Sequence, residues 1–108
     1  MPSFDPRVAL DGLYEEYSRR TDAIRRDLAL QRSADFAEQA AERQNDDVLH
    51  ALLAEAEEGL RQVGRARLRL SEGGYGLCQR CGGEIEQARL QALPAAEFCL
   101  ACADRPPA

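Results

Sequence analysis

Four cysteines in two tight pairs constrain this chain more than anything else in it: Cys78-Gln79-Arg80-Cys81, then Cys99-Leu100-Ala101-Cys102, with seventeen residues between the pairs. Two C-x2-C hooks at that separation have the spacing of a four-thiolate zinc site. Each hook offers two sulfurs from one turn, and the stretch between them is long enough to fold back on itself. Gly82 and Gly83 follow the first hook, where a turn tight around a metal favours residues that tolerate positive φ. Four thiolates fill a tetrahedral shell and leave no position for water or substrate, so the expected cofactor is one structural Zn2+. The alternative is a pair of disulfides, which a small secreted domain would need. The segment from Pro2 to Asp11 is polar and charged without an apolar core, unlike a secretion signal. The expectation is therefore a cytoplasmic protein with reduced, metal-holding thiols.

What precedes the cysteines does not read as a compact globule. Of 108 residues 44% are hydrophobic, but 18 of these are Ala, Trp is absent, and Phe and Tyr supply only six. Alanine with Glu, Arg, Leu and Gln favours long helices over a large core. No uncharged stretch approaches the length of a membrane span, so a soluble chain without a membrane partner is expected. The net charge of −5 argues against nonspecific binding to nucleic acid, and no sequence-specific DNA binding is expected.

The first helix is predicted from Pro6 to Arg32. Asp5 can cap its exposed amides, and Pro6 suits the first helical position, where its missing donor is not needed. A heptad seam runs through Leu10, Tyr14, Tyr17, Thr21, Ile24, Leu28 and Gln31. A second follows at Asn45, Leu49, Leu52, Ala56, Gly59, Val63, Ala66 and Leu70, widened by Val48, Leu53 and Leu60. The break between them, at Arg32-Ser33-Ala34, spans only a few residues, so the helices turn back on one another. The second helix is predicted from about Asp35 to Glu72, stopped by Gly73-Gly74. The fold class is thus mainly α: an antiparallel two-helix coiled-coil hairpin over residues 1–74, its tip near 33–40, then a small four-cysteine zinc-finger module and tail over 75–108. With both seams satisfied inside one chain, a monomer is expected.

Charge is segregated along the second helix. Glu42, Asp46, Asp47, Glu55, Glu57 and Glu58 precede a basic stretch of Arg61, Arg65, Arg67 and Arg69 that has no acid beside it in sequence. In an antiparallel pairing Arg25 and Arg26 are expected near Glu42, Asp46 and Asp47, as a solvated surface worth a few tenths of a kcal/mol per pair. The arginine stretch beside the cysteines suits an acidic surface or a nucleic acid. His50, the one histidine, sits among Leu49, Ala51 and Leu52 as a seam-edge residue, and no Cys-His or Ser-His pair is apparent, so an enzyme is not expected.

The run Tyr75-Gly76-Leu77-Cys78-Gln79-Arg80-Cys81-Gly82-Gly83-Glu84-Ile85, followed by Arg89-Leu90-Gln91-Ala92-Leu93-Pro94 and the second hook, closely resembles the DksA/TraR family of bacterial zinc-finger proteins. The match reaches beyond the cysteines to the Tyr-Gly before them and the Arg-Leu-x-Ala-x-Pro run between them, and the upstream hairpin agrees in architecture. The resemblance implies a transcription regulator that binds bacterial RNA polymerase, its finger entering the secondary channel and its tip acting near the active site without binding DNA. The family's tip pattern, Asp-x-x-Asp-x-Ala, falls on Asp35-Phe36-Ala37-Glu38-Gln39-Ala40, with Glu38 in place of the second Asp. This is where the seams independently put the turn. Asp35 and Glu38 equally suit a helix N-cap and its N3 partner. Family members that respond to guanosine tetraphosphate use basic residues where this chain has Glu55, Gln62 and Ala103. Arg89 is retained as a polymerase or nucleotide contact, but the resemblance does not carry the nucleotide response over. The chain ends at Asp104-Arg105-Pro106-Pro107-Ala108, where longer relatives have a further helix. Two other readings stand beside this one: a nucleic-acid-binding zinc ribbon using Arg61 to Arg69 and Arg80, and a redox-sensitive zinc protein.

Overall fold

Long helices account for most of the chain because little in it can build anything else. A computed structural model describes residues 3–32 and 39–104 and places four helices there: α1 (Pro6–Arg32), α2 (Gln39–Glu72), α3 (Gln87–Ala92) and α4 (Leu100–Ala103). Asp35 and Glu38 lie outside the described residues, and of Ala40 only the helical backbone is described. Among the described residues there is no strand, only an isolated antiparallel bridge between Leu77 and Glu84. No described helix is long and apolar enough to cross a membrane.

Both long helices end as their sequences dictate. The Asp5 carboxylate accepts from the N–H of Arg7 at 3.0 Å and of Val8 at 3.5 Å, capping the first turn of α1. At the end of α2, Gly73 takes a φ of 84° that a side chain would resist. That left-handed residue lets Gly74 N–H donate to the Arg69 carbonyl at 2.8 Å and Gly73 N–H to Leu70 at 3.4 Å. The two bonds form a Schellman motif, which satisfies orphan carbonyls and stops the helix. The helices, 27 and 34 residues long, measure about 40 Å and about 51 Å at 1.5 Å per residue.

The chain forms two compact units, each with a stretch of α1 and of α2. In the unit Glu15–Leu60, Thr21, Leu28 and Ala56 are buried, and Tyr17 and Ile24 are half-buried. The Thr21 hydroxyl donates to the Ser18 carbonyl at 2.9 Å, so the one buried polar side chain among the described residues has a partner. Tyr17 lies against Gly59, and Arg25 reaches Glu57 at 3.3 Å. Residues ahead on α1 meet residues further back on α2, the signature of antiparallel pairing.

The second unit joins Met1–Tyr14 to Arg61–Ala108. Leu10, Val63 and Ala66 are at most 1% exposed there, as the seams require. Arg67 meets Asp11 at 3.3 Å, and its guanidinium lies 4.7 Å from the centre of the Tyr14 ring.

Two expectations need correction. Arg25 pairs with Glu57 rather than with Asp46 or Asp47, because the heptad pattern selects a helix face but does not set the register along it, and the side chain of Glu42 lies outside the described residues. Gly59 supplies what the pattern lacks. A Cβ built there would stand 2.6 Å from two ring carbons of Tyr17, so only a glycine admits the aromatic at that level. The seam is also narrower than drawn: Tyr14, Val48 and Leu52 are 42%, 56% and 46% exposed.

A methyl at position 59 gains about 1 kcal/mol of helix propensity and costs about 1–3 kcal/mol of overpacking. Gly59→Ala is expected to lower stability in urea unfolding followed by circular dichroism. In a Tyr17→Leu background the same change is expected to be neutral or stabilising.

Candidate metal centre

The cysteine hooks are shaped by backbone turns on either side of them. Cys78 N–H donates to the Gly83 carbonyl at 2.7 Å, and Gly82 N–H donates back to Cys78 at 2.9 Å, closing a tight loop over the first hook. Gly82 holds a φ of 76°, as its place after the hook leads one to expect. Gly83 N–H points at the Cys81 sulfur at 3.4 Å. In the second hook Cys99 precedes α4 and Cys102 lies within it, with Ala103 N–H bonded to the Cys99 carbonyl at 2.9 Å.

These turns bring the four sulfurs within 4.8 Å of one another, with Cys81 and Cys99 3.9 Å apart. A tetrahedron with metal–sulfur bonds of 2.3 Å has edges of about 3.8 Å, so one zinc fits among the sulfurs. All four are free thiols, and the disulfide alternative is not adopted. Cys78, Cys99 and Cys102 are buried, while Cys81 is exposed.

Side chains then brace the hooks. Arg80 donates to the Cys102 carbonyl at 3.0 Å and lies 5.3 Å from the Phe98 ring centre. Arg89 Nε donates to the Phe98 carbonyl at 2.9 Å, fixing the approach to the second hook. Glu86 accepts from Leu100 N–H at 3.1 Å; its own amide and that of Leu100 hold its carboxyl below the usual range. Tyr75 donates to the Pro94 carbonyl at 2.8 Å, and burial pushes its phenol up. The sequence pointed Arg89 to an outside partner, and the contact found is an internal one.

The arginine stretch of α2 is not the open basic patch that the sequence suggests. Arg65 and Arg69 both turn to Glu97, and Arg67 to Asp11. These acids lie outside the local sequence window, more than thirty residues from the arginine in the case of Arg65, so inspection of α2 alone misses them.

Without metal the sulfurs differ sharply. The Cys81 amide, helped by those of Cys99 and Arg80, brings the Cys78 thiol down to about 6. Burial, reinforced by the neighbouring sulfurs, pushes Cys102 up to about 12. Zinc needs all four as thiolates, so loading must displace a proton from Cys102 at neutral pH.

Residues 73–107 match the family model of the prokaryotic dksA/traR C4-type zinc finger, and residues 7–70 that of the DnaK suppressor protein-like N-terminal domain. Transcription factor DksA2 from Pseudomonas aeruginosa is similar in structure, with a TM-score of 0.84 at 27% identity over 93% of this chain and 78% of that one. The DnaK suppressor protein of Agrobacterium tumefaciens is similar at 28% identity over 94% of each chain, with a TM-score of 0.51. An uncharacterized protein of Aquifex aeolicus is 42% identical over 45 residues, which span 42% of this chain and 31% of that protein's length.

Metal analysis of the purified chain is expected to find one zinc. Replacing any of the four cysteines by Ser should abolish tight binding and unfold the module, while circular dichroism retains much of the signal of α1 and α2. Because the Cys102 proton is held up to about 12, apparent zinc affinity should rise with pH. Chelator competition at pH 6 and pH 8 checks the sign.

Proposed function

The chain belongs to the DksA/TraR family, and on that premise we propose that it is a transcription regulator acting on bacterial RNA polymerase through protein contacts. The observation that carries the reading is the structural likeness to transcription factor DksA2 across 93% of the chain. In this reading α1 and α2 supply reach into the secondary channel, the segment around residues 33–40 acts near the active site, and the zinc module serves as the anchor. Zinc, bound by Cys78, Cys81, Cys99 and Cys102, has a structural part, because four thiolates leave no open position for chemistry. The protein works as a single chain in the cytoplasm, where the polymerase is.

Asp35, Glu38 and Ala40 form the proposed tip on the strength of the sequence pattern. Glu38 keeps the charge of the family's Asp but carries it one methylene further out, an offset that matters beside a catalytic centre. Arg89, with its Nε committed to Phe98, is proposed to turn the rest of its guanidinium toward the polymerase or a nucleotide. With Glu55, Gln62 and Ala103 at the positions of other basic residues, a response to guanosine tetraphosphate is not part of the proposal. The pairing of Arg65, Arg67 and Arg69 with acids of the same chain counts against a nucleic-acid-binding ribbon.

Asp35→Asn keeps the size and much of the capping capacity while removing the charge. It is expected to abolish regulation of transcription from a ribosomal-type promoter and to leave competition for polymerase binding nearly unchanged. Glu38→Asp is expected to preserve or strengthen the effect. Normal regulation by Asp35→Asn would reduce Asp35 to a helix cap, and failure of the wild-type chain to bind polymerase would end the proposal.

A further inference from the structure

Glu97 stands where three parts of the metal-bearing unit meet. It lies two residues before Cys99, and its carbonyl accepts from the N–H of Gln79, inside the first hook, at 2.8 Å. Its backbone therefore links the two pairs of zinc-site sulfurs. Its carboxylate leaves the module altogether: Oε1 accepts from Arg65 Nε and lies 3.9 Å from Arg69 Nη1, both on α2.

Exposure separates this contact from an ordinary surface bridge. Fully solvated ion pairs contribute little, since water replaces either partner cheaply. Here the side chains of Glu97 and Arg69 are only 20% and 13% exposed, although Arg65, which makes the hydrogen bond, is 46% exposed. Arg69 Nη2 is buried with no hydrogen-bond partner, which makes a nearby carboxylate the more important to that guanidinium. Removing one member of such a cluster leaves a charge in a poorly solvated place. The cluster relaxes by moving, and a movement of Glu97 shifts its carbonyl, Gln79 and Cys99 with it.

We propose that Glu97 is a positioning residue for the zinc site, through which the C-terminal part of α2 sets how tightly the metal is held. The proposal rests on the four cysteines holding the zinc. Coupling of this kind is reciprocal: if the arginines on α2 strengthen zinc binding, zinc steadies that end of α2 to the same extent. Arg65 and Arg69 thus matter to the metal even though neither belongs to a hook.

The test is zinc affinity, measured on the full chain by competition with a chromophoric chelator. Glu97→Gln and the double variant Arg65→Gln/Arg69→Gln are each expected to weaken binding about tenfold, in the range seen when groups orienting metal ligands are lost. Combining all three substitutions should weaken it no further than either set alone, because they break one linkage. Glu97→Asp, which keeps the charge, should recover part of the loss. Hydrogen exchange adds an independent readout: zinc-loaded Glu97→Gln should exchange the amides of 61–72 faster than the wild type at the same one-zinc stoichiometry. If Glu97→Gln fails to fold, the arginine variant carries the test by itself. Wild-type affinity in the arginine variant, or fully additive losses, would overturn the inference while leaving the zinc site intact. A wild-type chain that binds no zinc would instead remove the reading beneath it.

Discussion

A module the size of residues 75–104 buries too little apolar surface to fix its own backbone, and here the site for the metal takes the place of a core. Of the five buried residues in its cluster, three are Cys78, Cys99 and Cys102, joined only by Ile85 and Leu90. Phe4, Tyr75, Ala96 and Phe98 pack around them half-covered. Such a cluster excludes water without defining one packing arrangement, whereas four sulfurs on one ion define both distance and angle. The turns at Gly76 and Gly82, the Leu77–Glu84 bridge and the short α3 and α4 are arranged around those sulfurs. Folding of this segment is then expected to be coupled to metal binding.

The paired helices answer a different problem. Two long amphipathic helices bury only a narrow stripe each, and many sliding registers would bury comparable stripes. Gly59 and Tyr17 discriminate among them, because the ring has a recess at one level and meets a side chain at others. Ion pairs such as Arg25 with Glu57 follow that register and add little stability at their exposure. The exposed Val48 and Leu52 mark where the stripe narrows in the unit Glu15–Leu60.

The parts legible in the sequence were those written in adjacent residues. The cap at Asp5, the stop at Gly73-Gly74, the glycine turn after the first hook and the hooks themselves each need only a few neighbours to specify them. The parts that were not legible depend on distant pairs. Glu97 looks like an unremarkable acid between the hooks until Arg65 and Arg69 are brought to it. Arg25 had several acids of suitable charge, and only packing chose Glu57. Tyr14 satisfies the heptad yet remains 42% exposed, with the Arg67 guanidinium over its ring. The tip pattern at Asp35 and Glu38 is readable in sequence alone and lies outside the described residues.

The unequal exposure of the four cysteines gives the site one open side. Cys78, Cys99 and Cys102 form the closed side of the cup, and Cys81 stands at its rim. A metal ion or a chelator would reach the site first at Cys81. An ion leaving the site would detach first where the chain turns through Cys81-Gly82-Gly83, with three ligands still beside it.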